Sequence, residues 1–99
     1  MQLLLRAASR LQAVHDDWDR ERPALDQALH FNRKLWTIFL TSVTNSDNPL
    51  PAEIRQNVAN LGLFVLNQTM TVMGTPQRER LPSLININRE LAAGLRSGA

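Results

Sequence analysis

Residues 29–39 read LHFNRKLWTIF and lie within a segment of clear helical periodicity. Apolar or amide side chains recur there at every third or fourth position, which is the spacing of one helix face. The members of this stripe are Leu25, Leu29, Asn32, Leu35 or Trp36, Phe39 and Val43. Because Phe31, Ile38 and Leu40 broaden the stripe, the pattern predicts a helix with a wide apolar face.

Prolines and turn residues divide the rest of the chain into similar segments. Pro23, Pro51 and Pro82 each suit the first turn of a helix, where the missing N–H is not needed. Gly74 is expected to form the C-terminal cap of the third helix. Helices are therefore predicted over about 1–18, 23–44, 51–73 and 82–96. Since no strand alternation competes, we predict an all-α fold, a small antiparallel four-helix bundle forming a single domain over residues 1–99.

Composition excludes several classes of function. The 99 residues are 43% hydrophobic and 20% charged, as expected of a globular domain. Because cysteine is absent, disulfide scaffolds, thiolate metal sites and cysteine nucleophiles are excluded. The net charge is only +2 and is spread thinly along the sequence. Direct binding of nucleic acid requires a local concentration of basic residues, so it is not favoured.

No group of residues indicates catalysis or a cofactor. His15 and Asp19 have the spacing of two metal ligands on one helix face, but two ligands do not make a site, and a solvated helix end explains them better. His30 is interpreted as a partly exposed helical residue. We therefore expect no enzyme activity, no metal and no cofactor. The apolar runs are too short for a membrane helix and no signal peptide is recognisable, so the cytoplasm is the expected location.

Two asparagines occupy positions where apolar residues are expected. Asn32 lies on the stripe of the second helix and Asn88 on that of the fourth. A buried amide without partners is costly, so bundles that contain one normally pair it. We hypothesise that the two side chains form hydrogen bonds across the core or cap neighbouring backbone, fixing the register of the helices. The alternative is that both lie at a solvated rim.

The second and third helices carry more large apolar side chains than a thin bundle needs. Such a surplus is typical of a protein that binds a partner helix in a groove, or of a dimer. Trp36 with Phe39, and Trp18, are interpreted most simply as core aromatics. The groove predicted for a partner helix is lined by apolar residues of the second and third helices: Trp36, Leu40, Leu63, Phe64, Leu66 and Met70.

These segments together resemble the flagellar biosynthesis regulator FlaF family. The resemblance rests on residues 29–39, on 50–55 (LPAEIR) followed by the apolar residues 61–66, and on 84–95 (LININRELAAGL). It covers nearly the whole chain from about Leu3, although family members usually carry a further stretch before the first helix. The matching signature positions are Asn32, Leu35, Trp36, Asn88, Leu91 and Leu95.

The resemblance implies a protein of flagellum biogenesis that acts as a secretion chaperone for flagellin and as a regulator of its synthesis. Its expected partner is flagellin, through the terminal helical segments, together with the regulator FlbT. Two alternatives stay open. The first is a post-transcriptional regulator acting through FlbT or flagellin messenger RNA, for which Arg33, Lys34, Arg55, Arg78, Arg80 and Arg89 would have to converge on one face. The second is a helical homodimer whose apolar surplus is its own interface.

Overall fold

The computed structural model describes residues 2–98, with side chains to residue 95. Four long helices account for most of this part of the chain, and it contains no strand. The helices are α1 (Gln2–Asp16), the short α2 (Trp18–Glu21), α3 (Leu25–Thr44), α4 (Ala52–Gly74) and α5 (Leu81–Gly98). The predicted all-α bundle is confirmed.

The long helices pack as two pairs. The first pair is α3 with α4, joined by residues 45–51, and the second is α1 with α5. Neighbouring helices run antiparallel: the Arg78 side chain, just before α5, donates a 2.8 Å hydrogen bond to the carbonyl of His15 at the end of α1. The two pairs contact each other mainly between α1 and α3, whereas α4 and α5 approach each other at few positions. The result is an elongated body of 43 × 26 × 17 Å.

The link between the first two long helices differs from the prediction. Helix α1 ends at Asp16, because Asp17 leaves the helical conformation (φ −136°, ψ 56°), and Trp18 begins a separate helical turn. Pro23 lies in a 3₁₀ turn, Arg22–Ala24, so α3 proper begins at Leu25. A tight 3₁₀ turn suits a residue that lacks an N–H donor.

The predicted glycine cap of α4 is also wrong in detail. The helix does end at Gly74, but no glycine in the described residues has a positive φ. Instead, the N–H of Thr75 donates to the carbonyl of Thr71 at 2.9 Å, which continues the helical pattern by one bond before Pro76 prevents another turn.

One continuous apolar core joins all four long helices. Trp36 of α3 is the largest side chain fully removed from solvent, and its ring lies 5.7 Å from that of Phe39 at an angle of 59°. Such a tilted geometry is favourable for aromatic pairs. Burial of a Trp, with its indole N–H, requires a polar partner inside the core.

Gly62 of α4 faces this tryptophan. A Cβ at Gly62 would lie 3.6 Å from Trp36 Cε3 and 3.6 Å from Leu40 Cδ1, which is ordinary van der Waals contact. The glycine therefore marks the closest part of the α3–α4 interface without being required there sterically. Its helical φ also needs no glycine.

Gly62→Ala should raise the free energy of unfolding by about 0.5–1 kcal/mol, because alanine is the better helix former and the added methyl fits. Urea denaturation followed by circular dichroism measures this change. The matched control is Gly94→Ala in α5, where a Cβ would meet nothing within 4 Å. A loss of stability at Gly62 alone would show that the helices cannot accept even one methyl group.

Candidate functional site

A line of hydrogen bonds crosses the interior of the bundle. The indole Nε1 of Trp36 donates to Asn88 Oδ1 at 2.7 Å, and Asn88 Nδ2 donates to Asn32 Oδ1 at 2.7 Å. Asn32 Nδ2 in turn donates to Thr69 Oγ1 at 3.4 Å, and the Thr69 hydroxyl donates to the carbonyl of Val65 at 2.7 Å. We call these side chains, Trp36, Asn88, Asn32 and Thr69, the core polar relay.

The relay connects three helices. Its members come from α3, α5 and α4, and all four side chains have 0% exposure. Each polar atom in the line has a partner, and each donor points along the same direction from Trp36 toward α4. Because buried amides are costly when unpaired, this arrangement fixes both the orientation of each amide and the axial positions of the helices.

The hypothesis that Asn32 and Asn88 bond across the core is therefore confirmed, and the solvated-rim alternative is wrong. Leu35, at 7% exposure, is buried with them, while Leu91 and Leu95 are half-buried against the core. The signature positions thus face inward. Asn32, Trp36 and Asn88 have a structural role, since their polar atoms bond to one another inside the core.

The predicted groove does not exist as one surface. Trp36 is fully buried and its N–H donates to Asn88, so this side chain cannot contact a partner at the surface. Leu40 is half-buried near Gly62. On α4, Leu63 and Met70 are each 54% exposed, whereas Phe64 is 45% exposed.

The remaining α4 residues separate into two flanks. Leu63, Leu66 and Met70 are spaced i, i+3 and i+7, so they share one stripe, which we call the α4 stripe. At 100° per residue, Phe64 projects about 100–160° away from these three. A single partner helix therefore contacts either the α4 stripe or Phe64, not both.

The sequence pattern of α4 contains a signal that periodicity alone misses. Between Arg55 and Arg78 there is no charged residue over positions 56–77. Exposed faces of monomeric proteins normally carry charges, and depletion of charge is characteristic of the centre of an interface. From residue 56 to the end of this helix the exposed side chains are amides, a hydroxyl and large apolar groups, which a partner can cover without desolvating an ion.

The charged residues considered from the sequence lie apart. Arg55 is in the second turn of α4, where its Nη1 donates to the carbonyl of Asn45 at 3.4 Å, whereas Arg78 follows the end of that helix. The 23 residues of α4 span about 35 Å at 1.5 Å per residue. Arg55 and Arg78 therefore lie near opposite ends of α4, about 30 Å or more apart along the helix axis.

His15 and its acidic neighbours form a solvated helix end. His15 Nδ1 lies 3.1 Å from Asp16 Oδ1, and this hydrogen bond, with a second from Gln12, lowers the pKa of the Asp16 carboxyl. Asp19 is exposed and takes no part in this cluster. Across the described residues, no three His, Asp or Glu side chains come together as metal ligands.

The fold and the surface define a class of protein: a small helical bundle whose core is linked by hydrogen bonds and whose outer face includes a partly apolar helix segment without charge from residue 56 onward. The chain belongs to the family of flagellar protein FlaF, whose family model matches residues 1–95. It is thus a flagellar protein, and the family is not one of known enzymes. No curated relative and no solved structure matches the chain. None of the helices within residues 2–98 has the length and apolar character to cross a membrane.

Asn88→Ala should lower the free energy of unfolding by about 2–4 kcal/mol, because it leaves the Trp36 N–H and the Asn32 carbonyl oxygen without partners inside the core. Chemical denaturation measures the change. The control is Asn67→Ala, at an exposed position of α4, with an expected effect below about 0.5 kcal/mol.

A double-mutant cycle, measured by the same chemical denaturation, tests whether the hydrogen bonds of the relay are energetically coupled. Asn32→Leu combined with Asn88→Leu should cost less than the sum of the two single changes, since each single change leaves the other amide unpaired. Strict additivity would contradict the relay as a coupled network.

Proposed function

We propose that this protein is a non-enzymatic, cytoplasmic secretion chaperone that binds flagellin through the α4 stripe and so influences flagellin production. Membership of the FlaF family supports a flagellar role. The observation that carries the binding part is the exposure of Leu63 and Met70 on a helix without charge from 56 to 77.

The α4 stripe has the dimensions of a helix-binding site. Leu63 and Met70 are seven residues apart, which is about 10 Å and two turns. An amphipathic helix presents its own apolar side chains with the same periodicity, so two such stripes can interdigitate. The unbranched Met70 adapts readily to different partners.

Flagellin offers the complementary surface. Its terminal segments are amphipathic helices whose apolar faces become buried only on polymerisation. A chaperone that covers them before export would lower their tendency to associate, and release needs no ion pair to be broken because the α4 stripe has none. Binding by this route requires no catalytic residue and no cofactor.

The test is calorimetric titration of the full chain with purified monomeric flagellin from the same genome. Leu63→Glu and Met70→Glu should each weaken binding at least tenfold, which corresponds to about 1.4 kcal/mol, by placing a carboxylate in the apolar contact. Asn57→Glu is the matched control, since it adds the same charge to an exposed position on the other flank of α4, and it should change the affinity less than twofold.

Three results would contradict the proposal. Absence of binding at micromolar concentration would remove flagellin as the partner. A tenfold loss with Phe64→Glu and none with Leu63→Glu would place the contact on the opposite flank. Light scattering that shows a dimer of the free protein, made monomeric by Leu63→Glu, would identify the stripe as the protein's own interface.

A further inference from the structure

A second apolar surface lies between α1 and α3. A depression of about 180 Å³ is lined by Leu3 of α1 and by Phe31, Leu35 and Ile38 of α3, with Lys34 at its edge. Leu3 is 49% and Ile38 is 60% exposed, the latter being the most exposed large apolar side chain of the described residues. Neither belongs to α4, so this surface is separate from the α4 stripe.

The margin of this depression is positively charged. Leu3, Arg6 and Arg10 are spaced i, i+3 and i+7, so they share one stripe of α1 beside the depression. The Arg10 guanidinium carbon lies 4.5 Å from the centroid of the Phe31 ring, which places that cation directly over the apolar floor. Lys34 contributes from the α3 side.

These charges have no counterpart within the protein. No described carboxylate forms an ion pair with Arg6, Arg10 or Lys34, and all three side chains are exposed. Helix α1 has no acidic residue before Asp16, and Asp26 is the single acidic residue of α3. Glu21 lines a neighbouring depression that Arg10 also borders, and it does not line the depression of Leu3 and Ile38.

We propose that this surface, Leu3, Arg6, Arg10, Phe31, Lys34 and Ile38, binds an amphipathic helix whose apolar stripe is bordered by Asp or Glu. The apolar side chains of the partner would lie against Leu3 and Ile38, which are the exposed part of the floor because Arg10 covers the ring of Phe31. The three unpaired cations would face the carboxylates of the partner, which gives the contact its selectivity and a fast, salt-sensitive association.

The geometry favours such a helix over the other anionic partners. A bilayer contacts a convex, continuous apolar helix face, whereas this site is a concave gap between two helices. Single-stranded RNA is held by aromatic faces open to stacking bases, but the Phe31 ring is already covered by Arg10. Three cations are also few for a phosphate backbone.

The experiment uses the full chain and two synthetic peptides, measured by fluorescence anisotropy. Both peptides are 18-residue helices with leucine at i, i+3, i+4 and i+7; one has glutamates beside the leucines and the other has lysines. The acidic peptide should bind at least tenfold more tightly than the basic one, and its affinity should fall as salt is raised. Equal affinity of the two peptides would overturn the proposal.

Substitutions to glutamate on the protein distinguish binding at this surface from binding at the α4 stripe. Ile38→Glu and Lys34→Glu should each weaken binding of the acidic peptide at least tenfold, whereas Leu63→Glu should change it less than twofold. Unchanged helix content by circular dichroism verifies the fold of each variant. Since flagellin binding is expected to respond to Leu63→Glu and not to Ile38→Glu, failure of one proposal is distinguishable from failure of the other.

Three further outcomes would overturn the assignment of an acidic helix. The first is tighter binding to vesicles containing anionic lipid than to the peptide, lost with Ile38→Glu. The second is the same preference for an RNA oligonucleotide. The third is a dimer of the free protein that becomes monomeric on Ile38→Glu, which would make a second copy the occupant.

Discussion

The hydrogen bond from Asn88 to Asn32 is the constraint on which the rest of the structure depends. It joins α5 to α3 through two amides with 0% exposure, and both amides have further partners in Trp36 and Thr69. Apolar contacts alone tolerate small axial shifts between helices, whereas a directional relay does not. Among buried side-chain polar atoms of the described residues, Arg55 Nε alone lacks a partner, and it lies away from the relay. The interior is therefore polar where the axial positions of the helices are fixed and apolar elsewhere.

Because the core relay fixes the positions of the helices, the exposed faces of the bundle can differ from one another in chemistry. Trp36, the largest aromatic side chain near the centre, is committed to the core, so the exposed apolar groups are aliphatic or sulfur-containing with the exception of Phe64. The α4 stripe is uncharged, and the α1–α3 surface is apolar with a basic margin. The two surfaces differ in the chemistry they can accept, and they lie on different helices of one rigid frame.

Much of the fold was predictable from periodicity. The stripe around Leu29 and Phe39 and the three prolines at helix starts were sufficient to identify four long helices. The pairing of Asn32 with Asn88 followed from the cost of an isolated buried amide. The hydrogen bonds of Thr69 and Trp36 could not be predicted in this way, because they depend on how far each helix is rotated about its own axis. For the same reason the assignment of Trp36 to an exposed groove was wrong. When an apolar stripe is wide, the sequence does not show which of its edges is buried in the core and which is exposed.

The pairing of α1 with α5 brings together two helices that are far apart in the sequence. The helices in contact are separated by the whole α3–α4 hairpin, so their association closes a loop of more than sixty residues, whereas α3 and α4 meet across a short turn. During synthesis, which proceeds from the N-terminus, the α3–α4 hairpin can form while α5 is still inside the ribosome. Until α5 emerges, the apolar side of α1 has only α3 to pack against, and Asn32 Oδ1 lacks the Asn88 amide, although Asn32 Nδ2 can already bond to Thr69 of α4. Helix α5 therefore completes a core that α1 and the α3–α4 hairpin leave open, and the amide of Asn88 is the polar group it adds.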